Sequence, residues 1–165
     1  SQLDLKITIK EVDKFSLPRV SQLILKTNQF NLTTKRYQEL DIEKMIHDPN
    51  FIVGCVQVED KFGDNGITGV FIIKKENDEE WIIDTFLMSC RIMGRGIEQG
   101  IMTYIKNKAK NDKIKKIKAD FFQTQKNKPI ENFLPNCEFK EEGETWTYSI
   151  KSEIEFPDYL TLKVE

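Results

Sequence analysis

The chain has 165 residues, which is the usual size of one domain. Lysine and arginine total 25 and aspartate and glutamate total 27, so the formal net charge of −2 argues against a general nucleic-acid-binding protein with a basic face. No apolar run approaches the roughly 18 residues that cross a membrane, so neither nucleic acid nor membrane is an expected partner.

Cysteine and histidine are too few and too scattered for a metal centre. Cys55, Cys90 and Cys137 stand far apart without a CxxC pair, and His47 is the single histidine. We therefore expect no metal and a reduced, cytoplasmic compartment. The chain begins with serine instead of methionine, so we expect residues 1–165 to be one domain cut from a longer protein.

The first third of the chain predicts a strand followed by two helices. Leu3, Leu5, Ile7 and Ile9 alternate with polar residues, which is the pattern of a half-buried strand. A helix over Val20–Leu25 follows Pro18, a residue favoured at helix starts. A polar loop over Thr27–Asn31 precedes a second predicted helix over Gln38–His47.

The middle of the chain predicts three strands and a long helix. The strands Phe51–Val58 and Ile67–Ile73 flank Asn65-Gly66, a strong hairpin signal because both residues tolerate positive φ. Trp81–Met88 is nearly all apolar, which indicates a central strand covered on both faces. Apolar residues then recur every four positions from Ile97 to Ala109, which predicts a helix.

The remaining elements complete an α+β domain. We predict a strand over Ile114–Phe122, a short helix over Asn127–Leu134, and closing strands over Phe139–Glu144 and Thr145–Ile150. The order β-α-α-β-β-β-α-β-α-β-β predicts one α+β domain.

The turn between the central strand and the long helix has the composition of a phosphate-binding loop. It reads Arg91-Ile92-Met93-Gly94-Arg95-Gly96. Glycines let backbone N–H groups approach a phosphate, the helix N-terminus attracts anions, and arginines add forked donors. A plain strand-to-helix turn is the alternative. There is no GxxxxGK[ST] motif, and Gly94, Gly96 and Gly100 only approach a dinucleotide fingerprint, which belongs at the start of a βαβ unit.

Strand, R-x-x-G-x-G and helix together resemble motif A of the GNAT acyltransferases, which holds the pyrophosphate of coenzyme A. Three longer stretches resemble the C-terminal domain of FkbH-like proteins, which belong to subfamily IIIC of the HAD superfamily. They are Lys26–Thr34, Phe62–Asp64 and Asp84–Gly96. The resemblance covers about residues 15 to 150. It implies the α+β GNAT fold, with a mixed, mostly antiparallel central sheet flanked by helices.

The family resemblance implies an acyltransferase that moves a glyceryl group to the phosphopantetheine thiol of an acyl carrier protein in polyketide and related pathways. It implies two partners, the acyl carrier protein and an N-terminal HAD domain of the same protein. The DxDx[TV] signature of that HAD domain is missing from this chain. The resemblance also implies a set of residues that bind coenzyme A or carrier-bound phosphopantetheine. They are Met88, Arg91, Met93, Gly94, Arg95 and Gly96.

Two alternatives stay open. Many GNAT amine acetyltransferases carry a tyrosine that reprotonates the leaving thiolate, and Leu134 stands at that place here. An acetyl-CoA-dependent N-acetyltransferase is therefore the weaker alternative, whereas transfer between thiols needs less acid help. A non-catalytic module that docks the carrier protein is the other.

Two residues are candidates for catalysis. Cys90 is either a small buried side chain or a nucleophile, since a helix start and two arginines follow it and favour a thiolate. Asp84, an acid within an apolar strand, is either a paired structural group or a base. Cys55 and Cys137 lack such a setting and are expected to be structural.

Two polar groups are candidates for contacts with substrate and partner. Asn28, Gln29 and Asn31 either brace their loop or contact a polar acyl group, and the resemblance favours the second. A run of lysines is either a solvated surface or a landing site for an acidic carrier protein. It comprises Lys106, Lys108, Lys110, Lys113, Lys115, Lys116 and Lys118.

Overall fold

A computed structural model describes residues 5–89, 91 and 94–165. The described residues form nine strands: β1 (Lys6–Glu11), β2 (Phe30–Asn31), β3 (Phe51–Asp60), β4 (Gly63–Lys75), β5 (Glu80–Met88), β6 (Lys116–Ala119), β7 (Lys140–Glu142), β8 (Thr145–Ser149) and β9 (Thr161–Val164). The helices are α1 (Leu17–Lys26), α2 (Glu39–Ile46), α3 (Ile97–Asn111) and α4 (Phe133–Asn136), and a 3-10 turn covers Lys128–Ile130.

The strands make one mixed sheet in the order β7-β8-β6-β5-β4-β3-β1-β9, and β2 pairs with β5 beside this path. The pairs β5–β6 and β1–β9 are parallel and the others are antiparallel. The predicted α+β sheet is therefore confirmed. Strands β2 and β9 were not predicted, and the strand expected over Ile114–Phe122 is shorter, because only residues 116–119 have partners on both sides.

Each face of the sheet has its own hydrophobic core. On one face α3 and α4 pack through Ile101, Ile105 and Phe133 against β5 and its neighbours. On the other face α1 and α2 pack through Val20, Ile24 and other apolar side chains. Both faces of β5 are thus covered, which explains its apolar composition.

A bulge in β5 determines where the sheet opens. Ile72 of β4 pairs with Thr85 and Ile73 with Ile83, so Asp84 is the extra residue of the bulge. Ile83 is also the last residue of β5 that pairs with β6, opposite Ala119. A bulge increases strand twist, and β5 and β6 separate beyond it. The end of β5 therefore carries a gap on its β6 side.

Candidate functional site

The predicted phosphate loop lies where the sequence placed it, between the end of β5 and the start of α3. Gly94 has φ +81° and Gly96, the N-cap of α3, has φ +76°. Both values lie in the region that glycine adopts without strain. A Cβ at Gly94 would meet no atom of the described residues within 4 Å, so the backbone there is open to a ligand.

The two arginines of the loop have different environments. Arg91 is exposed. The Nη2 of Arg95 donates to Oδ2 of Asp60 at 2.8 Å, and the side chain of Asp60 is only 7% exposed. The backbone N–H of Phe62 and the guanidinium of Arg95 hold the pKa of Asp60 below its usual range. Arg95 thus ties the loop to the β3–β4 hairpin. The side chain of Arg91 forms no ion pair or hydrogen bond with another described residue, so it is available to an anion.

The C-terminal segment accounts for the other two glycines. The hydroxyl of Tyr159 donates to the carbonyl of Gly96 at 3.1 Å, and a side chain at Gly96 would collide with the Tyr159 ring. A side chain at Gly100 would collide with Leu160. These glycines are needed for close packing, whereas Gly94 supplies the open backbone.

The start of α3 carries one group that competes with an external anion. Oε2 of Glu98, in the first turn of α3, is buried and has no partner among the described residues. Burial raises the pKa of this carboxyl group. The backbone at Gly94, the exposed Arg91 and the helix start are nevertheless groups that could hold a phosphate.

The gap between β5 and β6 is filled by residues 30–33, which we call the plug. Phe30 and Asn31 pair with Met88 and Leu87, and the N–H of Leu32 donates to the carbonyl of Phe86 at 3.2 Å. On the far side, the N–H of Phe122 donates to the carbonyl of Leu32 at 2.9 Å. The edge of β5 over residues 86–88 is therefore already occupied by the chain itself.

Two buried side chains hold the middle of the plug. Nδ2 of Asn127 donates to the carbonyls of Asn31 at 2.9 Å and Phe122 at 3.0 Å, and Asn127 is fully buried. The side chain of Asn31 is also fully buried, bonded to Thr27 and Thr34. These contacts favour the bracing interpretation for Asn31 over contact with substrate.

Asp84 holds the end of the plug. Its Oδ1 accepts from Nζ of Lys35 at 2.9 Å, and its Oδ2 accepts from the hydroxyl of Tyr37 at 2.8 Å. The backbone carbonyl of Asp84 accepts from the hydroxyl of Thr33 at 3.0 Å. Burial, aided by the bond to Asp84, raises the pKa of Tyr37, so the phenol remains a donor. The contacts favour the structural interpretation of Asp84.

A pocket of about 260 Å³ lies between one face of α1, from Arg19 to the end of the helix, and the end of β5; we call it the Ser89 pocket. It brings together Asn28, Gln29 and Met88 of the predicted site with Arg19 and Lys26. Its full lining is Arg19, Leu23, Lys26, Thr27, Asn28, Gln29, Phe30, Met88 and Ser89. Gln29 is exposed, whereas Oδ1 of Asn28 accepts a hydrogen bond from Arg36.

Two of the predicted site residues, Cys90 and Met93, lie outside the described residues. Cys55 and Cys137 are both buried, as expected for structural cysteines. Burial raises the pKa of the Cys55 thiol, and it raises that of Cys137 to about 12. Neither thiol is a thiolate near neutral pH.

The lysine run is not one solvated surface. Lys106 is only 6% exposed, its Nζ donates to the carbonyl of Cys137 at 2.5 Å, and it lies 4.0 Å from the centre of the Tyr148 ring. The N–H groups of Lys115 and Lys116 bond to Glu79, at the start of β5. Because β5 has nine residues, that end lies about 30 Å from the phosphate loop. This distance disfavours the run as the landing site of a carrier whose thiol must reach the loop.

Sequence reasoning missed the residues whose partners are distant along the chain. Asn127 and Arg19 stand in segments without a motif, and nothing near them in sequence signals their contacts. Arg36 follows the recognised Lys26–Thr34 stretch, and it donates to the carbonyls of Ile24 at 2.5 Å and Thr27 at 3.0 Å. A polar loop this long is itself a signal that its side chains bind backbone.

Among the described residues, no helix is long and apolar enough to cross a bilayer. No family model matches the chain. No curated protein matches it either.

Solved structures do match it. The ribosomal-protein-S18-alanine N-acetyltransferase from Escherichia coli has a TM-score of 0.67 at 10% identity, covering 90% of this chain and 97% of that one. Spermidine N-acetyltransferase from Vibrio cholerae, in complex with CoA and spermine, has a TM-score of 0.65 at 14% identity, covering 87% and 95%. A GNAT-family protein from Desulfovibrio desulfuricans has a TM-score of 0.67 at 9% identity, covering 88% and 99%. These likenesses show that the chain has the GNAT fold, as its loop and element order predict.

Proposed function

We propose that this chain is an acyltransferase domain that binds an acyl thioester of coenzyme A or phosphopantetheine, with the phosphate groups at the Arg91–Gly96 loop. The observation that carries the proposal is the open Gly94 backbone at a helix start, near the exposed Arg91. Solved structures of the same fold include complexes with coenzyme A, which supports this ligand class. The residues of this loop supply binding and orientation of the phosphate-bearing arm that carries the thiol.

The finer proposal follows the FkbH-like resemblance. The acyl group is a small polar one such as glyceryl, the acceptor is the phosphopantetheine thiol of an acyl carrier protein, and an N-terminal HAD domain prepares the donor. Leu134 is 1% exposed within the core and bears no proton donor, which favours a thiol over an amine as acceptor. Amine acetylation stays the second candidate, because the neighbours of known activity are N-acetyltransferases.

Cys90 is proposed as the residue that carries the acyl group. Its thiolate attacks the carbonyl carbon of an acyl phosphate, a C–S bond forms, and the C–O bond to phosphate breaks with phosphate as leaving group. The acceptor thiol, deprotonated, then attacks this thioester and regenerates the Cys90 thiolate. Asp84 as a base remains a prediction, since its carboxylate already accepts from Lys35 and Tyr37.

The binding role is tested by separating the two arginines. Arg91→Gln should weaken binding of coenzyme A about 10- to 100-fold, the value of one charged hydrogen bond, and leave the urea midpoint unchanged. Arg95→Gln should lower both affinity and stability, because it also breaks the ion pair with Asp60. Calorimetry and urea unfolding measure the two effects. Unchanged affinity in Arg91→Gln would contradict phosphate binding at this loop.

The covalent role is tested by thiol labelling. Iodoacetamide at pH 7 should modify Cys90 before Cys55 and Cys137, since burial raises the pKa of both other thiols. Peptide mass spectrometry reads the order, and bound coenzyme A should protect Cys90. Cys90→Ala should abolish the acyl adduct on the full-length protein. If Cys90 labels last across pH 6–9 and no adduct forms, only the binding role stands.

A further inference from the structure

We propose that the Ser89 pocket binds an anionic substituent, a carboxylate or a phosphate, on a short acyl chain. The inference rests on the proposed function, since it requires that the thioester lies at the phosphate loop. It narrows the small polar acyl group of the finer proposal to one that carries an anion, which glyceryl itself lacks, and it names a residue, Arg19, that selects it.

The position of the pocket suits an acyl chain. Met88 and Ser89 line it, and Ser89 lies two residues before Arg91 along the chain. On the β6 side of β5 the plug excludes any ligand, because Phe30 is paired with Met88. The Ser89 pocket contacts the end of β5 on the side that faces α1. A chain extending from a thioester beside the loop therefore enters it.

The charge of the pocket favours an anion. Arg19 donates through Nε to the carbonyl of Ile67 at 3.3 Å and through Nη1 to Oε1 of Gln22 at 2.7 Å, which fixes its guanidinium. Its Nη2 has no acceptor among the described residues. Lys26 is exposed, and none of the described residues that line the pocket is acidic.

Arg36 neutralises the partial negative charge at the C-terminal end of α1, which would otherwise repel an anion in the pocket. The C-terminal end of a helix carries a partial negative charge from its free carbonyls, and the pocket reaches this end of α1 at Lys26 and Thr27. Arg36 donates to two of these carbonyls, those of Ile24 and Thr27. The pocket therefore attracts a carboxylate or phosphate and repels a cationic amine.

The size and lining of the pocket limit the chain length. Its volume of about 260 Å³ lies below the ~300–1,000 Å³ of pockets for drug-sized ligands. Leu23, Phe30 and Met88 give it an apolar wall, and Gln29 adds an exposed amide. A few carbon atoms with one terminal anion match this combination, whereas acetyl leaves the cations without a partner.

Binding of four CoA thioesters tests the inference by calorimetry. Succinyl-CoA is compared with acetyl-CoA for a carboxylate, and 3-phosphoglyceryl-CoA with glyceryl-CoA for a phosphate. We expect the anionic member of at least one pair to bind about 10-fold or more tightly, the effect of one charged hydrogen bond. Arg19→Gln should remove that preference without changing the affinity of the neutral member, and Arg19→Lys should keep part of it.

Lys14→Gln is the matched control, since it removes one positive charge from an exposed residue outside the pocket. It should preserve the preference, which excludes a general charge effect. A preference confined to one pair identifies the anion as carboxylate or phosphate. Equal affinities within both pairs, or a preference that survives Arg19→Gln, would overturn the inference and leave thioester binding intact. Failure of all four thioesters to bind would instead overturn the proposed function together with it.

Discussion

Replacing Asn127 by leucine should lower the free energy of unfolding by about 2–4 kcal/mol, since it leaves one buried and two partly buried backbone groups without their partner. The carbonyls of Asn31 and Phe122 lose their donor, and the N–H of Thr124 loses its acceptor at 2.7 Å. Urea unfolding measures the loss. Hydrogen exchange should also show faster exchange at the amides of Leu32 and Phe122, which join the plug to its neighbours.

The matched control is Asn136→Leu, the same change at an exposed asparagine of α4. It should leave both stability and the exchange of Leu32 unchanged. Asn127→Asp keeps the acceptor for Thr124, but it loses the Nδ2 donor and buries a negative charge beside the carbonyl oxygens of Asn31 and Phe122. It should therefore be at least as destabilising as leucine. An Asn127→Leu protein as stable as the parent would show that the plug is held by its backbone pairing with β5 alone.

Replacing Asp84 by asparagine should lower the free energy of unfolding by about 1–2 kcal/mol, because it loses the ion pair with Lys35 and disturbs the bond from Tyr37. The side chain of Asp84 is 12% exposed and that of Lys35 is 40% exposed, so water compensates part of the loss at the lysine. A double-mutant cycle with Tyr37→Phe should show coupling of about 1 kcal/mol between the two side chains.

The same variant distinguishes an anchor from a base. A general base contributes about 10²–10⁴-fold to rate, so its loss would reduce kcat far more than it reduces stability. If Asp84 is only an anchor, Asp84→Asn and Tyr37→Phe should have similar effects on the rate of acyl transfer, each within about tenfold. A drop of 10³-fold or more in Asp84→Asn, with Tyr37→Phe unaffected, would restore Asp84 as the base.

The substitutions of Asn127 and Asp84 test two attachment points of the same segment, the plug and the residues that follow it. Asn127 holds the middle of the plug from one side, and Asp84 holds the residues that follow it from the other. Before the plug in sequence, Asn28 and the end of α1 are both held by hydrogen bonds from Arg36. The long polar stretch from Lys26 onward is therefore a set of side chains that bind backbone, and its exposed part, around Gln29, faces the Ser89 pocket.

Much of the fold could be predicted because hydrophobic periodicity reports which face of an element is buried. The apolar run of β5 and the four-residue repeat of α3 predict those elements within a residue or two of their observed bounds. Strand β9 could not be predicted, since only Leu162 of its four residues is partly buried. It forms because β1 offers a free edge to the returning chain.

The sequence by itself determined the order of the elements other than β2 and β9, the glycine turn after a buried strand, and the two cysteines that are buried. Tertiary structure alone decided the partner of each charged or amide side chain. Arg95 meets Asp60 across 35 positions, Lys35 meets Asp84 across 49, and Asn127 meets Asn31 across 96. Local patterns encode the periodicity of burial, whereas such partners depend on which segments the bulge at Asp84 and the gap beyond it bring side by side.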